Sequence, residues 1–295
     1  MIKMKDSPGK ILKQLMKEGI VMMPGAFNGL LARLVEEAGF KAVYISGAGL
    51  ANGVAAMPDI GLLTMTEVLV QAGFITRAVD IPCIVDGDTG FGEPLNVIRM
   101  VEGLENIGAA GVHIEDQEMP KKCGHLSGKR LVSSRAMMEK IIAAVKARQD
   151  SDFLVIARTD ARETEGLEGA IKRANLYVEA GADTVFPEAL ESREEFIRFA
   201  KEVKVPLLAN MTEFGKTPYI TAKEFEEMGY SMIIFPLTMM RVMLKTLKGS
   251  LERLKAGGSQ KELLDEMFTR KELYDLIGYK YYEDMDKKIR GKNND

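Results

Sequence analysis

The chain has no tryptophan, and its 295 residues include only two cysteines and two histidines. Cys83 and Cys123 are too few for a disulfide framework, so a packed core must hold the fold, and a reduced, cytoplasmic setting is expected. With His113 and His125 as the whole supply of imidazole, a serine or thiol protease triad lacks its parts. Zinc would also want more His and Cys than stand near each other here. No apolar run approaches the roughly 20 residues of a membrane helix, and the first residues lack the apolar stretch of a signal peptide. A basic excess is missing too. The 40 Lys and Arg against 43 Asp and Glu leave a formal charge of −3, which argues against non-specific nucleic-acid binding. Finally, no Gly-x-Gly-x-x-Gly follows the first apolar run, so a dinucleotide-binding doubly wound sheet is disfavoured.

What is present is a 46% hydrophobic chain, long enough for a large core, in which short β-rich runs alternate with amphipathic segments. Strands are predicted over Ile20–Gly25, Ala42–Ser46, Cys83–Asp86, Gly111–Glu115, Phe153–Arg158, Thr184–Glu188, Pro206–Asn210 and Met232–Pro236. Helical spacing lies between them, as in Ala136–Ala147 and Leu167–Ala180, and glycines such as Gly39, Gly111 and Gly181 mark the approach to the next strand. Eight strands with intervening helices predict an α/β fold of the closed (β/α)₈ TIM-barrel type. One barrel domain is expected over residues 1–295, with 251–295 a helical C-terminal extension. Its apolar and aromatic run around Leu276, Ile277, Tyr279 and Tyr281 reads as a docking surface, and Lys287–Asp295 are expected to fray.

These barrels carry their chemistry at the C-terminal ends of the strands. Polar residues gather there: Ser46, Asp86 with Asp88, Glu115 with Asp116, Arg158 with Asp160, Glu188, and Asn210 with Thr212. A purely structural barrel would not require so many charged groups at these positions. Asp86 and Asp88 stand two apart at a strand end, so both can face one ion. Two carboxylates with little else suit Mg²⁺, or Mn²⁺, with water and substrate completing the shell; Asp59 and Glu115 offer further carboxylates. Capping of an Asp-Gly turn is the plain alternative. Ser46-Gly47-Ala48-Gly49 reads as a turn whose amides could cradle an anion. Arg158 suits a substrate carboxylate, or an ion pair with Glu188 or Asp160.

The segment Glu118–Val132 is polar, punctuated by Pro120, Gly124 and Gly128, and resists assignment as helix or strand, so it reads as a candidate lid. Within it, Lys121-Lys122-Cys123-Gly124-His125 sets a thiol among cations. Lys122 and His125 are expected to lower the Cys123 pKa toward neutrality and make it a proton donor. Cys83, in an apolar strand, is expected to be inert. His113 lies inside a strand as a core group or a supporting one, and Tyr44 shares the face of Ser46.

With Asp86-Gly87-Asp88-Thr89-Gly90-Phe91-Gly92 and Lys121-Lys122-Cys123-Gly124-His125 in view, the chain resembles the isocitrate lyase and phosphoenolpyruvate mutase superfamily over nearly its whole length. The second run resembles the signature of its carbon–carbon lyase branch. The resemblance implies a Mg²⁺-dependent barrel, usually a homotetramer with a C-terminal helix exchanged between subunits. It also implies cleavage of a small 2-hydroxy tricarboxylate. On that basis Asp86 and Asp88 correspond to the metal positions, and Ser46, Gly47 and Ala48 to the run that holds the nascent oxoacid. Cys123 and Gly124 correspond to the mobile catalytic loop, with His125 beside them. Arg158, Glu188, Asn210, Thr212, Arg241 and, less closely, Arg270 correspond to substrate-binding positions. Cys123 is the implied acid, with Tyr44 or Glu188 as the hydroxyl base. The chain is shorter than most isocitrate lyases, and Phe186 and Pro236 resemble a roomier pocket. The expected substrate is therefore 2-methylisocitrate, cleaved to pyruvate and succinate as in propionate catabolism by the methylcitrate cycle. Isocitrate, or the chemistry of an oxaloacetate decarboxylase or a phosphonomutase, is the alternative.

Overall fold

A computed structural model describes residues 6–291. All eight expected strands form: β1 Val21–Ala26, β2 Val43–Ile45, β3 Cys83–Asp86, β4 Gly111–Glu115, β5 Leu154–Thr159, β6 Thr184–Pro187, β7 Leu208–Asn210 and β8 Met232–Phe235. Between and around them run α1 Pro8–Glu18, α2 Gly29–Glu37, α3 Gly47–Gly53, α4 Met65–Thr76, α5 Pro94–Asn106, α6 Ser134–Ala147, α7 Ala161–Glu179, α8 Arg193–Glu202, α9 Ala222–Glu227 and α10 Thr238–Gly257. The strands are parallel throughout, in the order β6-β5-β4-β3-β2-β1-β8-β7. A single bridge between Val185 and Leu207 joins β6 to β7, so the ring closes there by a thinner seam than elsewhere.

Two differences from the sequence pattern concern boundaries. Ser46, read as the end of a strand followed by a turn, instead caps α3, with its Oγ accepting from the Gly49 amide. Pro206, expected in β7, precedes it, because a ring nitrogen cannot donate to the ladder. Elsewhere helix starts follow local chemistry. Thr64 and Thr221 form reciprocal capping boxes with Glu67 and Glu224, and Pro8 and Pro94 occupy first-turn positions where no amide donor is needed.

The period of two along each strand sorts side chains into two populations. Val43, Ile45, Val85, Val112, Ile114, Val155 and Ala157 face outward and pack under the helices. Val21, Met23, Tyr44, Ile84, Leu154, Ile156, Phe186, Leu208, Met232 and Ile234 fill the barrel interior. The helix α1 closes the bottom. Lys13 reaches the Ser151 carbonyl just before β5, and Leu12, fully buried, joins the interior cluster. The top of the barrel, at the strand C-termini, is thereby left for polar groups.

A second unit begins at Arg241, inside α10, ten residues ahead of residue 251, the expected start of the helical extension. It continues through a 3₁₀ segment Lys261–Glu266 to α11 Arg270–Leu276 and α12 Tyr279–Gly291. Within it Arg253 makes a two-pronged ion pair with Glu266, and Tyr274 stacks on Tyr279 at 4.5 Å between centroids. Lys287 to Gly291, expected to fray, continue α12, while residues 292–295 of that expectation lie outside the described residues.

Leu12→Ala should cost about 2–5 kcal/mol, the range for emptying a buried aliphatic site that cannot collapse. Urea denaturation of the two chains, read at equal slope, is the check.

Candidate active site

Inward-facing positions continue past the last interior apolar layer and there become polar. Following Tyr44 on β2 comes Ser46; following Ile84 on β3 comes Asp86; following His113 on β4 comes Glu115; following Ile156 on β5 comes Arg158. Parallel register sets Glu115 beside Arg158 and Arg158 beside Phe186. Arg158 is the centre of this layer. Its Nε and one terminal nitrogen grip Asp160 at 2.9 and 3.1 Å, Glu188 lies at 3.2 Å and Glu115 at 3.4 Å. Both plain alternatives for this arginine, Asp160 and Glu188, are thus realised together. Burial alone would lower the guanidinium's pKa, but Asp160, Glu188 and Glu115 outweigh it and hold it charged. Its face rests on Phe186, 5.0 Å from guanidinium carbon to ring centroid.

Asp86 and Asp88 come together on Gly47. A Cβ built there would lie 2.9 Å from Asp86 Oδ2 and 3.2 Å from Asp88 Oδ1, so only glycine lets both carboxylates close on this point. Asp86 accepts from the amides of Gly47 and Asp88, each at 3.0 Å, and from Tyr44 at 3.3 Å. Burial opposes its ionisation, yet His113, Lys121 and Arg158 outweigh that and hold it well below the usual carboxylate range. Asp88 behaves differently: burial and the Asp86 charge outweigh its Lys121 partner and raise it to about 6. Lys121 extends from the loop to Asp88 and, at 2.7 Å, to Asp59. Burial pushes Glu115 well above the usual range, and its Oε1 has no hydrogen-bond partner.

Tyr44 Oη lies 2.7 Å from His113 Nε2, and burial pushes the phenol's pKa well up. His113, fully buried, is lowered to about 4 by that burial, although Asp86 pulls the other way. It is therefore a neutral imidazole at pH 7.

The loop after β4 is tied at its base by the Gln117–Leu131 bridge and runs across the mouth. Gln117 clamps the Lys122 backbone from both sides at 2.9 Å. His125 accepts the Lys216 amide at Nδ1, which places its proton on Nε2, 2.9 Å from Glu188. Glu188 is held well below the usual range: burial works against it, and Arg158 and His125 prevail. Gly124 lies so close to Glu188 and Arg158 that a Cβ there would collide with both. Cys123 corrects one expectation. The residue is exposed on the loop, yet the loss of water around its thiol outweighs the His125 backbone contact and raises its pKa instead of lowering it, while the Lys122 ammonium turns away to the Ser127 carbonyl. A thiol kept protonated is still suited to donating a proton. Cys83 is buried and pushed up to about 12, as an inert thiol should be.

A small cavity of about 50 Å³ remains beneath the loop, walled by Tyr44, Ser46, Ala48, Asp59, Asp86, Cys123, Gly124, His125, Arg158, Glu188, Asn210, Thr212 and Pro236. Asn210 donates to both Glu188 oxygens at 3.2 Å. The expected amide cradle is mostly spent internally, since the Gly47 amide serves Asp86 and the Gly49 amide serves Ser46. Phe186 does not line this cavity; it sits a layer deeper, fully buried under Arg158 and edge-on to His113. Arg241 and Arg270 belong to the second unit, in α10 and at the start of α11. Both Lys121 and Lys129 are buried on the loop; sequence reading took Lys121 only as one of the cations around the thiol and gave Lys129 no role. Nothing in the local pattern distinguishes a buried loop lysine from a solvated one.

Among the described residues no three His, Cys, Asp or Glu side chains converge as a complete metal cage. The donors present are nonetheless those of a hard cation that keeps its water: two carboxylates on one point, with Asp59 near and Glu115 Oε1 unpartnered.

The description "Phosphoenolpyruvate phosphomutase" belongs to the family model that matches residues 12–255, and the chain belongs to that family, within the superfamily that also holds the isocitrate lyases. Among curated proteins, it is 55% identical to the 2-methylisocitrate lyase of Aeropyrum pernix over 97% of this chain and 92% of the relative. Among solved structures, a 2,3-dimethylmalate lyase superposes with a TM-score of 0.91 at 36% identity, over 97% of this chain and 96% of that one. A phosphonopyruvate hydrolase in complex with oxalate and Mg²⁺ superposes with a TM-score of 0.86 at 29% identity, over 95% and 98%.

The neutral His113 has a consequence for stability. Its pKa is about 4 in the folded chain and 6.5 ordinarily, so as pH falls through this window the unfolded chain takes up the proton first. The stability it supports is present above pH 6.5 and is lost toward pH 4, by up to about 1.4 kcal/mol per pH unit. Asp88 acts in the opposite sense over part of the window. Urea denaturation of the parent and of His113→Gln from pH 7 to 4.5 should therefore show a shallower acid loss in the variant.

Proposed function

We propose that the chain is a Mg²⁺-dependent carbon–carbon lyase that cleaves 2-methylisocitrate to pyruvate and succinate. The observation that carries this reading is the seating of the Lys121–His125 run over Arg158, Glu188 and the paired aspartates. Full-length identity of 55% to a 2-methylisocitrate lyase agrees with it. Asp86 and Asp88 are the residues that would hold magnesium, which when bound supplies positive charge beside the substrate's hydroxyl and carboxylate.

Arg158 orients a substrate carboxylate by exchanging one of its acidic partners for the ligand. Ser46 and Ala48 border the oxoacid half, and Asn210, Thr212 and Glu188 bind the remaining groups, with Arg241 and Arg270 assigned to outer carboxylates by family correspondence. Of the two candidate bases, Glu188 is ionised and takes the hydroxyl proton, while Tyr44, a phenol kept protonated with its oxygen 2.7 Å from His113 Nε2, orients the hydroxyl. The C2–C3 bond then breaks, its electron pair passing to the succinate half as a carboxylate-stabilised carbanion, and the hydroxyl oxygen becomes the pyruvate carbonyl. The Cys123 thiol protonates that carbon. The covering loop excludes the water that would otherwise compete for it. The apolar side chains left exposed on the second unit, among them Leu244, Leu247, Leu251, Tyr281 and Tyr282, suit a homotetramer that exchanges C-terminal helices.

A coupled assay with Mg²⁺, offering 2-methylisocitrate and isocitrate separately, should give pyruvate from the first at clear preference. A methyl is worth only about 1–3 kcal/mol, so weak isocitrate cleavage is compatible. Cys123→Ser should lower kcat by about 10²–10⁴, the usual range for removing a general acid. Asp86→Ala should abolish metal-dependent turnover while the circular dichroism spectrum is retained. Silence on both substrates by folded, metal-loaded protein would turn the assignment to a decarboxylase or phosphonomutase.

A further inference from the structure

The covering loop has a firm base but a tip that needs its own fastening. Its ends are paired through the Gln117–Leu131 bridge and the Glu118 amide to the Arg130 carbonyl. Beyond that base the loop has no regular structure, and yet Gly124 presses against Arg158 and Glu188. The side chain that reaches under it is Lys129, fully buried although it sits on a polar loop. Its ammonium donates to the Gly124 carbonyl and to Asp160 Oδ1 at 3.1 Å, with Glu163 at 3.6 Å. Glu163 also accepts the neighbouring Gly128 amide at 3.1 Å.

Asp160 makes this contact more than a peg, because the same carboxylate grips Arg158 through both oxygens. Its backbone is fixed from behind, where Asp116 accepts the Asp160 amide at 2.8 Å. An ammonium on Asp160 draws part of that carboxylate's charge away from the guanidinium and leaves more of it for an incoming anion. The cavity of about 50 Å³ is far below the roughly 300 Å³ and more of small-molecule sites, so the loop must lift to admit a substrate and be set down again.

We propose that Lys129 is a positioning residue: it sets the Cys123–Gly124 segment on the barrel mouth by joining the Gly124 carbonyl to Asp160, and through Asp160 it tunes Arg158. The catalytic half of this inference rests on the lyase reading; the loop-setting half does not.

The test uses the full-length chain and four variants: Lys129→Met, Lys129→Arg, Asp160→Asn, and Lys129→Met with Asp160→Asn. The first readout is the rate at which iodoacetamide alkylates Cys123 with no ligand present: the residue is exposed on the loop but also lines the cavity beneath it, so lifting the loop opens it further, and the buried Cys83 is silent. The second is kcat and KM on 2-methylisocitrate with Mg²⁺. Two charge-assisted hydrogen bonds are at stake, so Lys129→Met should alkylate about tenfold faster or more and lose about tenfold or more in kcat. Lys129→Arg should recover most of both. Adding Asp160→Asn to Lys129→Met should cost much less than it does in the parent. Parental alkylation rates in Lys129→Met would overturn the proposal, as would equal losses in the Met and Arg variants. If Lys129→Met does not fold, Asp160→Asn decides by the same alkylation readout, and an unchanged rate there overturns the proposal. Should the parent cleave neither substrate, faster alkylation in the variant would still support the loop-setting role while the lyase reading fails.

Discussion

A buried cation among carboxylates is the constraint on which the barrel mouth depends. Arg158 cannot leave its strand position without stranding Asp160, Glu188 and Glu115 in a desolvated layer, and unpairing a buried ion of this kind costs about 3–5 kcal/mol. The surrounding structure is arranged to prevent it. Asp116 accepts from Thr159, Tyr177 and the Asp160 amide at 2.8–2.9 Å, fixing the strand end from below. Arg173 joins the same group and also donates to the Val132 carbonyl, where the covering loop returns to the barrel. One polar layer therefore sets the arginine, the adjacent carboxylates and the hinge of the loop together.

The charge balance of that mouth has a direction. Among the described residues, Asp59, Asp86, Asp88, Glu115, Asp160 and Glu188 stand against Lys121, Lys129 and Arg158 as permanent cations, and both lysines belong to the loop. Lifting the loop therefore removes positive charge just when an anionic substrate would enter. A proton on Glu115, pushed well upward by burial, offsets part of the excess. A divalent cation held at the paired aspartates would offset the rest, which would tie the proposed metal to substrate entry as well as to chemistry. Closing the loop then restores two ammonium groups and expels water, strengthening each interaction as the dielectric falls.

Much of this was legible in the sequence because it depends on periods. Strand alternation locates Asp86, Glu115, Arg158 and Glu188 on one inward face, and the alternation of apolar runs with helical spacing yields the barrel. Properties that depend on three-dimensional partners were not legible. Lys122 flanks Cys123 in sequence but turns to Ser127, so loss of water around the thiol, and not that ammonium, sets the direction of its shift. Phe186 shares the inward face, but its height along the strand places it beneath Arg158 instead of at the cavity wall. Ser46-Gly47-Ala48-Gly49 has the composition of a turn and becomes a helix start, because Ser46 caps it and Asp86 takes the first amide. Lys129 finds Asp160 across 31 residues, a pairing no local pattern encodes.

The order of strands also bears on how a methyl-bearing substrate would lie. The polar groups come from β2 through β7, whereas β8 contributes Ile234 and, just beyond its end, Pro236 and Leu237 to the same cavity. In the eight-membered ring β8 stands across from β4, so the apolar wall faces the Asp86, Glu115 and Arg158 side. A 2-hydroxy carboxylate held by that polar arc would direct its third substituent at C2 toward β8. A hydrogen there leaves the wall unfilled, while a methyl gains contact with it at about 0.8 kcal/mol per buried carbon. On the proposed substrate, preference for the methylated acid would then arise from the apolar strand opposite the charges and would need no additional polar contact.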